Sequence, residues 1–207
     1  MPASPRFWNW IATRYAKNSV PDAAAYAKKL AAAEARLTPT ARVVEFGCGT
    51  GTTAVHLAPN AGRIEAVDFS AKMLEIGRDR ADKAGVSNIS FIANTLEGFA
   101  GDPGAYDMVM MHSLLHLLPN PGAAVAKAHR LLAPGGWFVS STTALGDDGL
   151  ALVAGIMRPA AALGLLPRLT VFSGDDLRAM ITGAGFEIVE DWKPKPKAAV
   201  FIVAQKV

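Results

Sequence analysis

The chain contains 207 residues, of which 51% are hydrophobic and 19% are charged, so an intrinsically disordered protein is excluded. Because domains commonly contain about 150 residues, we predict a single domain over residues 1–207, with an N-terminal helical cap over residues 1–40. The net charge is only +3, and no stripe of Lys and Arg between aromatic residues is present, which argues against nucleic-acid binding.

Short apolar segments alternate with helical segments through the first half of the chain. Strands are predicted over residues 43–46, 64–67 and 89–92, because each is a brief apolar run. Ser70 is a typical N-cap residue and Gly85 is typical of the position after a helix, so a helix is predicted between them. Further helices are predicted over residues 4–18, 22–37 and 52–57.

The second half of the chain continues this alternation. Residues 107–111 are apolar on both faces, which is typical of a central parallel strand covered by helices on both sides. A helix is predicted from Asn120-Pro121 to about Leu132, followed by a turn at Pro134-Gly135-Gly136. The remaining elements are a strand over 137–142, a helix over 173–185 that starts with a capping box, and a strand pair over 186–191 and 199–204. This order favours a doubly wound α/β domain with a mostly parallel sheet.

Three glycines, Gly47, Gly49 and Gly51, separate the first predicted strand from the helix that follows. Glycine tolerates positive φ and, having no Cβ, lets a ligand approach the backbone. Amide groups at the start of the next helix face such a ligand. Asp68 ends the following strand at the same edge of the sheet, where its carboxylate can accept both hydroxyl groups of a ribose. Together these residues predict a nucleoside site.

The spacing of these glycines differs from that of dinucleotide-binding proteins. It is G-x-G-x-G, whereas the dinucleotide fingerprint is G-x-G-x-x-G, and Thr52 occupies the third glycine position of that fingerprint. Glu45 also precedes Gly47 by two residues, where a dinucleotide-binding strand is usually apolar. A nicotinamide nucleotide-dependent oxidoreductase is therefore the weaker alternative.

The segment Glu45–Gly51 resembles the first motif of the class I S-adenosylmethionine-dependent methyltransferases. Residues 7–15 are similar to the N-terminal helix of the branch that methylates small or lipid-like molecules, including quinone precursors. The resemblance covers nearly the whole chain, and it implies a Rossmann-like sheet of seven strands in the order 3-2-1-4-5-7-6, with the last strand antiparallel. The other similar segments follow in the family's order, over residues 67–74, 106–109, 114–118, 130–136 and 172–186.

The resemblance also implies which residues bind the cofactor, S-adenosylmethionine. Gly47 and Gly49 match positions beside its methionine part and ribose, and Asp68 matches the residue that binds the ribose hydroxyls. Asn94 stands where the family often has an acid, and its side-chain carbonyl can still accept a hydrogen bond from adenine. The implied cofactor-binding residues are Tyr15, Glu45, Gly47, Gly49, Gly51, Asp68, Phe69, Met73, Asn94, Thr95, Leu96, His112 and Ser113.

Two histidines, His112 and His116, are candidates for a catalytic base. A sulfonium already activates its methyl group, so a base is needed only for a weakly acidic hydroxyl or a protonated amine. For His112 the alternative is contact with the cofactor, and for His116 it is a structural role under the following loop. No acidic third ligand accompanies the pair, so no metal site is predicted. Glu45 either orients its own loop or is linked through water to the methionine ammonium.

Residues 145–172 form a long apolar segment between the fifth strand and the capped helix. Segments of this length inside a domain usually have a function, and three alternatives are open. With Trp8 and Trp10 the segment can roof a pocket for a small apolar acceptor, or it is an ordinary packed helix pair. The third alternative is transient contact with a membrane surface, supported by Arg158, Arg168 and the lysines of residues 193–197, which otherwise form a solvated loop.

The cysteine content and the N-terminus indicate a cytoplasmic protein. Cys48 is the only cysteine, so no intrachain disulfide forms. The first residues lack the apolar core of a secretion signal, and no apolar run reaches the roughly 20 residues of a membrane span. The family resemblance implies a methyltransferase that acts on a small, apolar molecule at an O, N, C or S atom. A non-catalytic protein that binds S-adenosylmethionine is the alternative.

Overall fold

The computed structural model describes residues 5–17, 22–162 and 166–207. The end residues of the predicted helix 4–18 lie outside these ranges, as do residues 163–165 of the apolar segment. The helices are α1 (Pro5–Lys17), α2 (Ala23–Glu34), α3 (Thr52–Leu57), α4 (Ala71–Lys83), α5 (Pro121–Leu131), α6 (Leu150–Ala162) and α7 (Gly174–Gly183). The strands are β1 (Arg42–Phe46), β2 (Arg63–Asp68), β3 (Ile89–Ala93), β4 (Tyr106–His112), β5 (Leu132–Thr142), β6 (Phe186–Trp192) and β7 (Val200–Lys206).

Within the described residues the seven strands form one sheet in the order β3-β2-β1-β4-β5-β7-β6. Strands β1 to β5 pair with one another in parallel, and β7 is antiparallel to both β5 and β6. The predicted doubly wound sheet, its strand order and its antiparallel last strand are therefore confirmed. Because the five parallel strands end at one edge, the loops that follow them meet there, and such an edge is where ligands bind in open α/β sheets.

The side chains of strand β4 pack against hydrophobic cores on both faces of the sheet. Val109 and Met111 face one hydrophobic core, which includes residues of α5 and α7. Met108 and Met110 face the other core, which includes residues of α2 and α3. All four side chains are fully buried, so the strand is a continuous apolar run rather than an alternating one.

Hydrogen bonds at the predicted helix starts fix the loops of the ligand-binding edge. Ser70 Oγ accepts from the backbone N of Met73 at 3.2 Å, which starts α4 two residues after Asp68. Ser173 and Asp176 form a reciprocal capping box at the start of α7. Both predicted caps are thus confirmed.

The fifth strand begins earlier than predicted. The sequence predicted a turn at Pro134-Gly135-Gly136 and a strand over residues 137–142, but β5 already starts at Leu132, which pairs with Tyr106. A register shift of the pairing between Tyr106 and Met108 accommodates the three turn-forming residues within the strand. The prediction was wrong because Pro and Gly were interpreted as ending the element, whereas an irregularity in the ladder absorbs them.

Helix α6 occupies much of the long segment 145–172 and contains Pro159. Two of its large apolar side chains, Leu152 and Ile156, are exposed. Contact with a membrane surface stays a prediction, and the side chain of Arg158 lies outside the described residues. Among the described helices, none combines the length and the apolar character needed to cross a bilayer.

Candidate functional site

A cavity of about 330 Å³ opens at the carboxyl edge of the sheet, and most of the residues predicted to form the site line it. A second cavity of about 800 Å³ adjoins it. The two share five lining residues, which makes them neighbouring parts of one cleft; these are Tyr15, Gly47, Gly49, His112 and Ser113. The predicted residues found only in the first cavity are Asp68, Phe69, Met73, Asn94, Thr95, Leu96 and His116.

The glycine loop after β1 has the backbone conformation that its sequence predicted. Gly47 and Gly49 have φ values of +67° and +53°, in the left-handed region that glycine adopts without steric cost. The backbone N of Gly47 donates to the carbonyl of Val67 at 2.8 Å, which holds the loop against β2. A Cβ built on Gly49 would meet no atom within 4 Å, so this residue leaves backbone open to the cleft.

Gly51 differs from the two other glycines of the loop because it lines neither cavity. It is the N-cap of α3, with φ +67°, and a Cβ there would lie 2.8 Å from the ring of Phe91. The residue allows α3 and α4 to approach the third strand closely. The structure therefore does not bring Gly51 together with the other predicted cofactor-binding residues.

Asp68 ends β2 with its carboxylate at the wall of the first cavity. Its Oδ2 accepts from the backbone N of Gly49 at 2.9 Å, and its Oδ1 accepts from the backbone N of Ser70 at 2.8 Å. Burial raises the pKa of Asp68, while the backbone donors of Ser70, Gly49 and Phe69 oppose that rise. Because a carboxylate offers about four lone-pair sites, the side chain can still accept a hydrogen bond from a ligand.

The loop after β3 forms the other end of the first cavity. Asn94 Oδ1 accepts from the backbone N of Thr95 at 2.8 Å, which fixes the orientation of the amide side chain. Leu96 is buried beside it, and Met73 of α4 is buried as well. Together with Phe69, these side chains give this end an apolar wall with one amide group, which suits a flat heterocycle.

Glu45 is a buried carboxyl group in the wall of the second cavity. It accepts a hydrogen bond from the backbone N of Ala54, and burial followed by the negative charge of Asp68 raises its pKa to about 8. Its Oε2 atom has no hydrogen-bond partner among the described residues. The bond to Ala54 supports the loop-orienting role, and the Oε2 atom is buried without a partner.

Replacing Glu45 by glutamine should reduce the loss of stability with rising pH. A carboxyl group with a raised pKa keeps its proton in the folded state while the unfolded chain releases it, so stability falls from about pH 4.5 to about pH 8. Because one pKa unit corresponds to about 1.4 kcal/mol, Glu45→Gln should lose clearly less unfolding free energy across this window in urea titrations. The exposed Glu75→Gln should follow the wild type, and parallel curves for Glu45→Gln and wild type would refute the assignment.

His112 ends β4, and His116 lies in the short turn that follows, so both reach the cleft. Burial lowers the pKa of each to about 4, and the Lys29 ammonium adds to the effect at His112. Both imidazoles are therefore neutral at physiological pH, and both are weak proton acceptors. The two other histidines line neither cavity. His56 Nε2 lies 3.1 Å from Glu34 Oε1, and His129 packs edge-on against Phe186.

Ser113 adopts a strained backbone conformation between the two candidate bases. Its φ is +53°, which is uncommon for a residue other than glycine and is often found at functional sites. Its backbone N donates to the carbonyl of Ser141 at 2.7 Å, which holds the strained turn against β5. The turn thereby places Ser113 and several residues after it in the wall of the first cavity.

Helix α1 contributes residues to one side of the cleft. Trp8 and Tyr15 line the first cavity, whereas Trp10 is 80% exposed. Asn9 Oδ1 accepts from Ser70 Oγ at 2.7 Å, so the helix is attached to the start of α4. Sequence reasoning missed Leu114, Leu117, Leu118 and Pro119, which also line the cavity, although the apolar run after β4 was visible.

The long segment 145–172 contacts the cleft indirectly. None of its described residues lines either cavity. Thr170 donates from its backbone N to the carbonyl of His116 at 2.9 Å, and from its Oγ1 to the carbonyl of Leu118 at 2.6 Å. The described part of the segment therefore holds the apolar turn after β4 in place, and the roof predicted for this segment with Trp8 and Trp10 stays a prediction.

Arg80 of α4 is a functional residue that sequence reasoning missed. Its guanidinium donates to the carbonyl of Thr50 and to the hydroxyls of Thr50 and Thr52. These bonds tie the glycine loop to α4 at the wall of the second cavity. The signal was absent from the sequence because Arg80 lies 30 residues from Thr50.

Comparison with known proteins shows what the residues around this cleft are similar to. Residues 43–136 match the family model described as "Methyltransferase domain". The chain is 31% identical over 130 residues to a ubiquinone biosynthesis O-methyltransferase of Paracidovorax citrulli, a match covering 62% of this chain and 54% of that protein. It is 29% identical over 154 residues to that of Thiobacillus denitrificans, covering 72% and 66%. The chain thus spans about half to two thirds of the length of these relatives.

Solved structures share the fold. A SAM-dependent methyltransferase of Thermotoga maritima matches with a TM-score of 0.70 and 21% identity, over 98% of this chain and 99% of the other. A geranyl diphosphate methyltransferase in complex with SAM matches with a TM-score of 0.73 and 15% identity, over 88% and 85%. At these identities the likeness concerns the fold alone.

Proposed function

We propose that the chain, whose residues 43–136 match the model described as "Methyltransferase domain", is a class I S-adenosylmethionine-dependent methyltransferase that transfers a methyl group to a small acceptor with an apolar body. The observation that carries the proposal is the carboxylate of Asp68 beside the open backbone of Gly49, in a cavity with an apolar far end. These features fit the ribose, the methionine backbone and the adenine of S-adenosylmethionine, respectively.

The residues that would hold the cofactor have distinct tasks. Asp68 would accept hydrogen bonds from the ribose hydroxyls, since its carboxylate lines the first cavity and retains acceptor capacity. Phe69, Met73 and Leu96 would enclose the adenine in the first cavity. The unpartnered Oε2 of Glu45 would receive the methionine ammonium, directly or through water.

The acceptor would enter from the side of the second cavity. When bound, S-adenosylmethionine supplies a methyl group on a sulfonium, so the protein mainly orients the reactants and excludes water, a contribution of roughly 7–11 kcal/mol in favourable cases. Tyr15, His112 and Ser113 line both cavities and would surround the point of transfer. His112 and His116, both neutral, would accept a proton only from an acceptor that loses one during the reaction.

The chemistry of relatives supports the choice of acceptor class. The curated relatives are named for O-methylation in ubiquinone biosynthesis, and the wall of the second cavity, where the acceptor would enter, includes the apolar side chains of Ala25, Leu30 and Ala33. One solved structure of the same fold is titled as a [4+2]-cyclase, at 18% identity and a TM-score of 0.70, so the fold by itself does not fix the reaction.

A titration followed by a transfer assay tests the proposal. Calorimetry with S-adenosylmethionine should show saturable binding at one site, and NADH should give no heat. Incubation with methyl-labelled cofactor and a panel of phenols, carboxylic acids, amines and thiols should then label one class of acceptor. Binding without transfer to any member would instead favour a non-catalytic cofactor-binding protein, and no binding by the folded protein would remove the proposal.

A further inference from the structure

Lys29 is a half-buried cation in the wall of the second cavity. Its Nζ donates to Ser141 Oγ at 2.7 Å and lies 6.0 Å from the ring centroid of Phe201. Helix α2 therefore extends this side chain across the sheet edge to the end of β5. The sequence pattern does not predict a binding role for Lys29, because the residue belongs to an Ala-rich helix of the predicted N-terminal cap.

The Lys29 ammonium lies at a different part of the sheet edge from the glycine loop and Asp68. The sheet order is β2-β1-β4-β5-β7 in this region, with Asp68 at the end of β2 and Gly47 directly after β1. Ser141 belongs to β5 and Phe201 to β7. Since neighbouring strands lie about 4.8 Å apart, the ammonium lies about two strand spacings beyond the glycine loop, on the side away from Asp68.

The ammonium has unused hydrogen-bonding capacity. An ammonium has three donors, and in the described part of the chain only Ser141 accepts from it. Burial lowers the pKa of Lys29, and Asp22 opposes this effect from a distance without forming an ion pair. A partly desolvated cation with free donors is a costly arrangement that an anionic ligand relieves.

The other charged groups of the second cavity do not neutralise Lys29. Asp22 lies 3.7 Å from Lys195 at the rim. Glu45, with a pKa of about 8, keeps its proton at neutral pH. Arg80 is bound to the glycine loop. The interior of this cavity is therefore positive at neutral pH, and the positive charge is concentrated on Lys29.

We infer that the second cavity binds an acidic acceptor, whose carboxylate or ionised hydroxyl group is held by Lys29 Nζ and Ser141 Oγ. This inference rests on the proposed function and names its substrate class. The apolar body of the acceptor contacts the small side chains of the cavity wall, which include Ala25, Ala33, Ala198 and Ala199. An acceptor that arrives as an anion also needs no strong base, which agrees with two neutral, weakly basic histidines.

Matched acid and amide probes test the inference without knowledge of the natural acceptor. Binding of benzoate and benzamide, and of octanoate and octanamide, is measured by NMR on the protein with and without S-adenosylhomocysteine. Each acid should bind at least about tenfold more tightly than its amide, since a charge-assisted hydrogen bond typically exceeds about 1.4 kcal/mol. Lys29→Met should remove this preference, and Lys29→Arg should retain part of it.

Two further variants complete the test: Lys28→Met is the control, and Ser141→Ala removes the second group of the proposed site. Lys28→Met removes the neighbouring cation, which lies over the ring of Trp192, 4.3 Å from its centroid, and should leave the preference for acids unchanged. Ser141→Ala should weaken it while keeping the charge. Equal binding of acids and amides to the wild type, or an unchanged preference in folded Lys29→Met, would overturn the inference.

The cofactor measurements separate this inference from the proposed function. The affinity for S-adenosylhomocysteine should be the same in Lys29→Met and wild type, whereas a large loss would assign Lys29 to the cofactor carboxylate and overturn the inference. No binding of S-adenosylhomocysteine by the wild type would count against the proposed function alone, because the preference for acids is also measured without it.

Discussion

Gly49→Ala should abolish S-adenosylmethionine binding while leaving the protein folded. The residue has φ +53° and lines both cavities. An alanine in this conformation costs roughly 1 kcal/mol, and its methyl group would meet no protein atom within 4 Å. The methyl group would instead occupy space in the cleft where a ligand approaches the backbone. We expect the Kd measured by calorimetry to rise about a hundredfold or more.

Gly85→Ala is the matched control for this prediction. Gly85 has φ +69° and equally open space at its Cβ position, but it follows α4 and lines neither cavity. The two variants should therefore lose similar stability in urea titrations, while Gly85→Ala keeps the affinity of the wild type. Wild-type affinity in Gly49→Ala would show that the ligand does not contact this loop.

Asp68→Ala should weaken cofactor binding by roughly two to four orders of magnitude. The variant removes the charged acceptor to which the ribose hydroxyls donate their hydrogen bonds, each contributing about 1.5–3 kcal/mol. It also frees the backbone N of Gly49, which Asp68 Oδ2 holds at 2.9 Å, so the loop loses part of its preorganisation. Asp68→Asn keeps an acceptor oxygen and should lose less affinity.

The effect of Asp68→Ala is separated from a general loss of charge by Asp79→Ala. Asp79 is an exposed residue of α4 that pairs with Lys83 one helical turn away, and its loss should change stability by less than about 1 kcal/mol. Calorimetry on both variants, after circular dichroism has shown that they are folded, measures the contrast. Similar affinities in the two variants would exclude Asp68 from the site.

The sequence predicted those parts of the fold that depend on local chemistry. The buried strand β4, the N-cap Ser70 and the capping box of α7 each follow from residues a few positions apart, and each is present. The strand order followed from the family resemblance rather than from any pattern in the residues. The start of β5 was wrong because the ladder irregularity at Tyr106 and Met108 is a property of two strands together.

The site was predicted where its residues follow strand ends, and missed where helices supply them. Gly49, Asp68 and His112 each follow or end a strand, so the parallel sheet alone brings them to one edge. Lys29 reaches Ser141 across 112 residues, and Arg80 reaches Thr50 across 30. Such contacts depend on how α2 and α4 pack, which periodicity does not encode.

The crystal structure of the protein with S-adenosylhomocysteine would test the central claim most directly. The account predicts density for the ligand across the first cavity, with both ribose hydroxyls within hydrogen-bond distance of the Asp68 carboxylate. The adenine should lie between Phe69 and Leu96, and the amino-acid end should face Glu45. An empty cleft in crystals grown at saturating ligand, or a ligand bound away from Asp68 and Gly49, would contradict the account.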